Sequence, residues 1–302
     1  MTATAVPTPP ASRVPVVPVP VSGKRRRRLT IGKIIAIIAC SLVALTTLYP
    51  FLFMTQTAFE TAKDYVNNKL AIPIPPTLQN FEAVLQSTLA VSILNSIIVV
   101  VTATILVVFL GCMAGFGFVF LSFPFQRTIL RVIMVVMILP ITVLIPPIFK
   151  VVLDLGLIDT YQGLILLYTG IGLPSGIYMM ASFFEAVPRE LVDSARVDGA
   201  GPFRVFRSVA LPLARPAFLT LGTFTFLGLW NDLLFALLVM QTPSQRTLPV
   251  AITLLRASVT TPNLVQDTVV GAGLFISALV PLLLFIIFNR QVTQGMVAGA
   301  LK

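Results

Sequence analysis

The feature that most limits how this chain can fold is a run of twenty residues, 34–53, that contains no charged side chain. As a helix it is long enough to cross the roughly 30 Å hydrocarbon core of a bilayer. Five further apolar stretches follow, at about 91–120, 128–149, 162–184, 218–240 and 269–288. With 57% hydrophobic and 11% charged residues in 302, the chain carries more apolar surface than a soluble domain of that length can bury. Backbone amides in hydrocarbon must bond within their own segment, so the expected class is an all-α integral membrane protein with six transmembrane helices.

Composition also removes several chemistries. There is no histidine, and the two cysteines, Cys40 and Cys112, sit inside apolar runs, so a metal cluster, thiol catalysis and a disulfide framework lack material. The net charge of +10 does not point to nucleic acid, because the basic residues are not interleaved with aromatics on a separate polar domain. Membrane topology accounts for them. With both termini cytoplasmic, all of the 21 basic residues except Lys63, Lys69, Lys150, Arg246 and Arg256 fall on the cytoplasmic side, as the positive-inside bias requires.

Residues 1–30 form a Pro-, Val- and Thr-rich segment ending in Lys24 and Arg25 to Arg28, expected to be disordered, basic and cytoplasmic. A basic block before an apolar run also fits a signal peptide, but the run is span-length and no small-residue cleavage site ends it. An uncleaved first span is expected. Residues 54–86 read as a polar, Pro-rich loop. Pro140, Pro146 and Pro147 are expected to kink the third span, and Leu173-Pro174 to interrupt the fourth.

Between the fourth and fifth spans lies a charged island, 188–212. Residues 189–197 favour helix, with Leu191, Ser194 and Ala195 on a small shallow face beside Glu190, Asp193 and Arg196. Asp198-Gly199 is expected to end that helix, since glycine takes the left-handed conformation cheaply. Pro202 suits the first turn of a second helix, in which Phe203, Phe206 and Val209 form an apolar stripe beside Arg204 and Arg207, with Leu211-Pro212 ending it. A hairpin lying on lipid is the plain alternative.

The order helix, Asp-Gly turn, helix, Leu-Pro resembles the cytoplasmic coupling loop of ABC importer permeases. Asp193-Ser194-Ala195 stands where that family commonly reads Glu-Ala-Ala, with Gly199 and Leu211-Pro212 in register. Further elements are similar to the family: Asn80-Phe81 in the first outer loop, Asn95-Ser96 entering the second span, Gly156 to Asp159, Trp230-Asn231-Asp232, Thr247-Leu248-Pro249 and the ending 295–302. Trp230-Asn231-Asp232 and Thr247 to Pro249 resemble the carbohydrate-type members in particular. The likeness covers about 31–302.

It implies the transmembrane domain of a type I importer of the maltose-transporter kind, in the bacterial cytoplasmic membrane. The implied partners are a second homologous permease, two ABC ATPase subunits and an extracytoplasmic substrate-binding protein or lipoprotein, besides membrane lipid. No cofactor is expected on this chain: it lacks a Walker-type phosphate loop, and ATP and Mg would sit on the ATPases. The chain is then a transport subunit and not an enzyme. Asp193 and Arg196 are expected either to reach the ATPase or to be solvated charges.

Asn95, Pro147, Trp230, Asn231 and Asp232 are candidates for the pathway or for helix packing. A charge in the membrane is costly, so Asp232 is expected to face the bundle interior or a watery vestibule, where it either bonds sugar hydroxyls or fastens the fifth helix. A different class, an ion-coupled secondary transporter or channel, would use Asp232 as its relay. No inverted repeat supports that class.

Overall fold

A computed structural model describes residues 31–70, 72–257 and 264–300. The basic segment 1–30 and the last two residues of the family-like ending, 301 and 302, lie outside the described residues. The chain divides into two units, Met1–Tyr49 and Pro50–Lys302. Of the first, the described part is the opening of helix α1 (Ile31–Ala58), and the division falls at Pro50, which has no N–H to give to the preceding turn.

In the second unit the stretch expected to be a polar loop contains two short helices. Thr61 caps α2 (Ala62–Asn67) by accepting from the Asp64 N–H at 3.2 Å, and α3 (Gln79–Gln86) follows. The Asn80 amide donates to the carbonyls of Ala58 and Glu60, so the Asn-aromatic element pins the end of α1.

Helix α4 (Thr88–Phe120) begins at a Ser87 cap and forms the axis of the unit. The third span is not a single kinked helix. It breaks at Leu139-Pro140 into α5 (Gln126–Ile138) and, after a 3-10 turn, α6 (Ile145–Asp154), with 99° between the halves. Pro140 cannot donate and disfavours helix at the residue before it, and Leu139 is accordingly extended. Pro146 and Pro147 open α6, where a missing N–H costs nothing, so Pro147 is a helix-start residue.

The fourth span reverses the expectation in the other direction: α7 (Tyr161–Glu185) runs unbroken through Pro174. The Ser175 hydroxyl donates to the Gly172 carbonyl at 2.9 Å, within the turn the proline disturbs.

Helices α4 and α7 pack along their length through glycine. A Cβ on Gly111 would lie 3.1 Å from the Gly176 backbone, one on Gly115 2.8 Å from the Ala181 nitrogen, and one on Gly172 2.8 Å from Val107. Two four-residue glycine spacings therefore face each other. In lipid, where apolar burial drives little, such close approach supplies the helix association.

After α7 come α8 (Arg189–Val197) and α9 (Pro202–Val205). Leu211-Pro212 does not end the second helix of the island. The path continues through a π-turn, Phe206–Ala210, into α10 (Leu211–Leu213), and bends by 76° only at Ala214 before α11 (Arg215–Trp230). The wide turn absorbs the ring and absent N–H of Pro212. The fifth span also breaks, at Asn231 to Leu233, before α12 (Leu234–Val239). Thr247 to Pro249, expected in a loop, opens α13 (Leu248–Ala257), and α14 (Leu264–Ala300) closes the described chain.

Four helices, or segments of helices, are long and apolar enough to cross a bilayer: Ile31–Ala58, Thr88–Phe120, Tyr161–Glu185 and Asp267–Asn289. The two bent pairs raise the number to six if each counts as one span.

Candidate functional site

The island 188–212 projects from the bundle on one end of α4 and α7. Asp198 caps α8, and Gly199 follows with φ +81. The Gly199 N–H donates to the Arg196 carbonyl and the Ala200 N–H to the Ala195 carbonyl, both at 3.0 Å, which is the paired closure of a helix ending in a left-handed glycine. Nothing lies within 4 Å of where a Cβ on Gly199 would stand, so the glycine is required by its torsion and not by crowding.

The island has an inner and an outer face. Val192, Val205, Phe206 and Ala210 are buried in a cluster with Phe116, Phe184 and Leu221, and the Phe206 ring lies 5.2 Å from that of Phe116. Phe206, named among the docking residues from sequence, therefore anchors the island to the bundle and is not a surface contact. Ala195 is partly buried on the same cluster, and so is Leu211.

Outward stand Glu190, Leu191, Asp193, Ser194, Asp198 and Phe203, with Pro212 also exposed. Phe203 is 68% exposed and Val197 88%, a large apolar display between charges. Arg196 is shared between the two faces: it donates to the Phe120 carbonyl at the end of α4 at 2.6 Å and pairs with Asp193 at 3.3 Å. The exposed pair adds little stability, but the bond to Phe120 ties α8 to the second span.

A cavity of about 820 Å³ lies between α5, α7 and α11. Ile171, Met179, Leu221 and Phe224 make its wall largely apolar, and Ser175, Thr225, Tyr168 and Asp232 are among its polar groups. Because the fifth span breaks at Asn231, Asp232 leaves the helix surface. Its Oδ2 accepts from the Tyr168 hydroxyl at 2.8 Å and from the Ala236 N–H at 3.1 Å. Asp232 thus both faces the cavity and fastens α12 to α7, the two roles that sequence reading set against each other.

Its neighbours in the triplet separate from it. Asn231 is exposed and bonds the Leu227 carbonyl of its own helix, while Trp230 is buried, stacks on Phe226 at 5.5 Å and donates to the Ser277 carbonyl of α14. Both serve packing.

Asn95 is a packing residue too. Its amide donates to the carbonyls of Ser244 and Arg246, each at 2.9 Å, and its Oδ1 accepts from the Tyr161 hydroxyl at 2.7 Å. Ser96 accepts from the Leu248 N–H at 2.7 Å, and the Asp159 carboxylate accepts from the N–H groups of Gln241 and Thr242 and from the Thr242 hydroxyl. The separate elements Asn95-Ser96, Asp159 and Thr247 to Pro249 thus form one knot at the end opposite the island. Partial burial works against the Asp159 carboxylate, but the Thr242 and Gln241 bonds and the Arg246 charge outweigh it and hold its pKa below the ordinary value.

Three features lay outside the sequence reading. Tyr168 had no local signal beyond one polar tip in an apolar run. The Gly111/Gly115 and Gly172/Gly176 spacings were legible as small-xxx-small pairs. Glu60, 0% exposed just beyond α1, has both carboxylate oxygens without a hydrogen-bond partner among the described residues. Burial, and next the charge of Asp64, raise its pKa, and the Gln56 amide is given to the Lys69 carbonyl.

Residues 107–296 match the family described as "Binding-protein-dependent transport system inner membrane component". The chain is 33% identical over 266 residues to the trehalose transport system permease protein SugB of Mycobacterium tuberculosis (strain CDC 1551 / Oshkosh), covering 87% of this chain and 95% of that protein. It is 30% identical over 273 residues to the sulfoquinovosyl glycerol transport system permease protein SmoH of Agrobacterium fabrum (strain C58 / ATCC 33970), covering 90% and 94%. Among solved structures, it matches a chain of a bacterial ABC transporter involved in the import of the acidic polysaccharide alginate, with a TM-score of 0.75 at 19% identity over 86% of this chain and 96% of that one.

Proposed function

The chain belongs to the family of binding-protein-dependent transport system inner membrane components, and from that premise we propose that it is the permease subunit of an ATP-driven importer of a sugar or sugar derivative. Its partners are a second, related permease that completes the pathway, two ATPase subunits that hold ATP and Mg, and an extracytoplasmic binding protein that delivers the sugar. Both termini lie in the cytoplasm. The sugar assignment rests on the substrates for which the relatives are named, and trehalose is the first probe to use.

The observation that carries the mechanism is the two-faced island. Its outer face presents Leu191, Val197 and Phe203 among Glu190, Asp193 and Asp198, a surface that fits a cleft on another protein. Its inner face is keyed to α4 and α7 by Phe206 and by the Arg196 bond to Phe120. Movement of a docked ATPase is then passed as a rigid-body rotation to α7 and α11, which wall the cavity along their length from Ala186 and Ala217 to Tyr168 and Asp232. A ligand or partner shifts such an equilibrium only through contacts that differ between the two states. The π-turn at Phe206–Ala210 and the bend at Ala214 are the places where that rotation is taken up.

The test is reconstitution in liposomes with and without the partners. ATP-dependent trehalose uptake by the full assembly, abolished when the ATPases are omitted and indifferent to collapse of the proton gradient, is the expected result. Uptake by this chain alone, or uptake that follows the proton gradient and not ATP, supports an ion-coupled carrier using Asp232 instead.

A further inference from the structure

The cavity wall holds one formally charged side chain, Asp232, and no lysine or arginine among its described residues. Oδ2 of that carboxylate is taken by Tyr168 and Ala236, whereas Oδ1 accepts no hydrogen bond from the described residues. The acceptor left over and the negative charge therefore belong to whatever occupies the cavity. Walls of Ile171, Met179, Leu221 and Phe224 leave that field uncancelled.

We infer that Asp232 is the charge filter of this half of the pathway: Oδ1 accepts hydrogen bonds from the hydroxyls of uncharged sugars, and the carboxylate turns away sugar acids, phosphates and sulfonates. The inference rests on reading the chain as a sugar permease, but its test does not need the sugar. Hydroxyl groups suit the site because they donate and carry no charge. An anionic group held about 6 Å from the carboxylate, at an effective dielectric of about 20, is disfavoured roughly 100-fold.

Gly228 supplies the reporter position. It lines the same cavity one helical turn before Asp232, and nothing lies within 4 Å of where its Cβ would stand. In the assembled transporter, with Cys40→Ser and Cys112→Ala removing the native thiols, Gly228→Cys is reacted with cationic, anionic and neutral methanethiosulfonates in each nucleotide state. Gln79→Cys, at the exposed first position of helix α3, calibrates the reagents. The neutral reagent corrects for any effect on the thiol itself, since the thiolate attacks the reagent sulfur to form a mixed disulfide and release methanesulfinate in all three cases.

The expected result is a cationic-to-anionic rate ratio at Gly228→Cys at least about tenfold above that at Gln79→Cys, falling to within about threefold of it in Asp232→Asn. Tyr168→Phe removes the hydrogen bond and keeps the charge, so it should preserve the ratio even if packing suffers. A ratio unchanged by Asp232→Asn overturns the inference, and so does failure of the neutral reagent to reach Gly228→Cys in every state. Failure of the importer reading shows separately, as absent ATP-driven uptake.

Discussion

Replacing Gly199 separates the shape of the island from its chemistry, because nothing but the torsion changes there. With φ at +81 and open space around the missing Cβ, substitution brings no clash and leaves both closing hydrogen bonds available. The cost is that of holding an L-residue in the left-handed region, about 1 kcal/mol for Ala and about 2 kcal/mol for the β-branched Val. Asn tolerates that region and should cost least. If the ATPase binds only the closed turn, its affinity should fall about fivefold in Gly199→Ala and about 30-fold in Gly199→Val, with Gly199→Asn near wild type. The assay is titration of labelled ATPase onto the permease pair in nanodiscs, with insertion and helix content checked in parallel, since the spans insert by their own hydrophobicity. Equal affinity for Gly and Val, or equal loss in all three variants, would refute the argument that this turn presents the docking helices.

Two other perturbations follow from the packing. Gly115→Leu places its Cβ 2.8 Å from Ala181 nitrogen and Met180 Cβ, so thermal unfolding should show a loss of about 1–3 kcal/mol or more, whereas Gly117→Ala, 4.0 Å from only Leu121 Cδ1, should be near neutral. Glu60 has a pKa raised by burial, so the folded state binds its proton more tightly than the unfolded chain, and stability from this group is present at low pH and lost as pH rises through the folded value. Glu60→Gln should therefore raise the melting temperature at neutral pH and flatten that loss. An unchanged melting curve would show that the carboxylate finds a partner in the assembled transporter.

Much of this architecture is legible in the chain because lipid imposes simple rules. The uncharged runs announce helices, and Gly199 announces its own positive φ, since Asp-Gly after an amphipathic helix has few other uses. The prolines are less legible. Pro140 breaks its span and Pro174 does not: the chain turns by 99° at Pro140, while α7 runs on through Pro174 although the Gly170 carbonyl loses the N–H that residue 174 would have donated. Leu211-Pro212 is absorbed by a π-turn that no local propensity signals. The triplet Trp230-Asn231-Asp232 reads as one motif but divides in space, with Trp230 on α14, Asn231 outward and Asp232 in the cavity. Only the fold, which sets Tyr168 beside Asp232 from 64 positions earlier in the chain, shows which of the three lines the cavity.

Docking of the outer face of the island on an ATPase is tested most directly by a photo-crosslinking amino acid placed in turn at Phe203, at Val197 and at Phe206 in the complete transporter. Positions 203 and 197, 68% and 88% exposed, are expected to capture an ATPase subunit, and position 206, buried against Phe116, only this chain. Capture of lipid alone from 203 and 197, with no ATPase adduct in any nucleotide state, would show that the island lies on the membrane and would contradict the account.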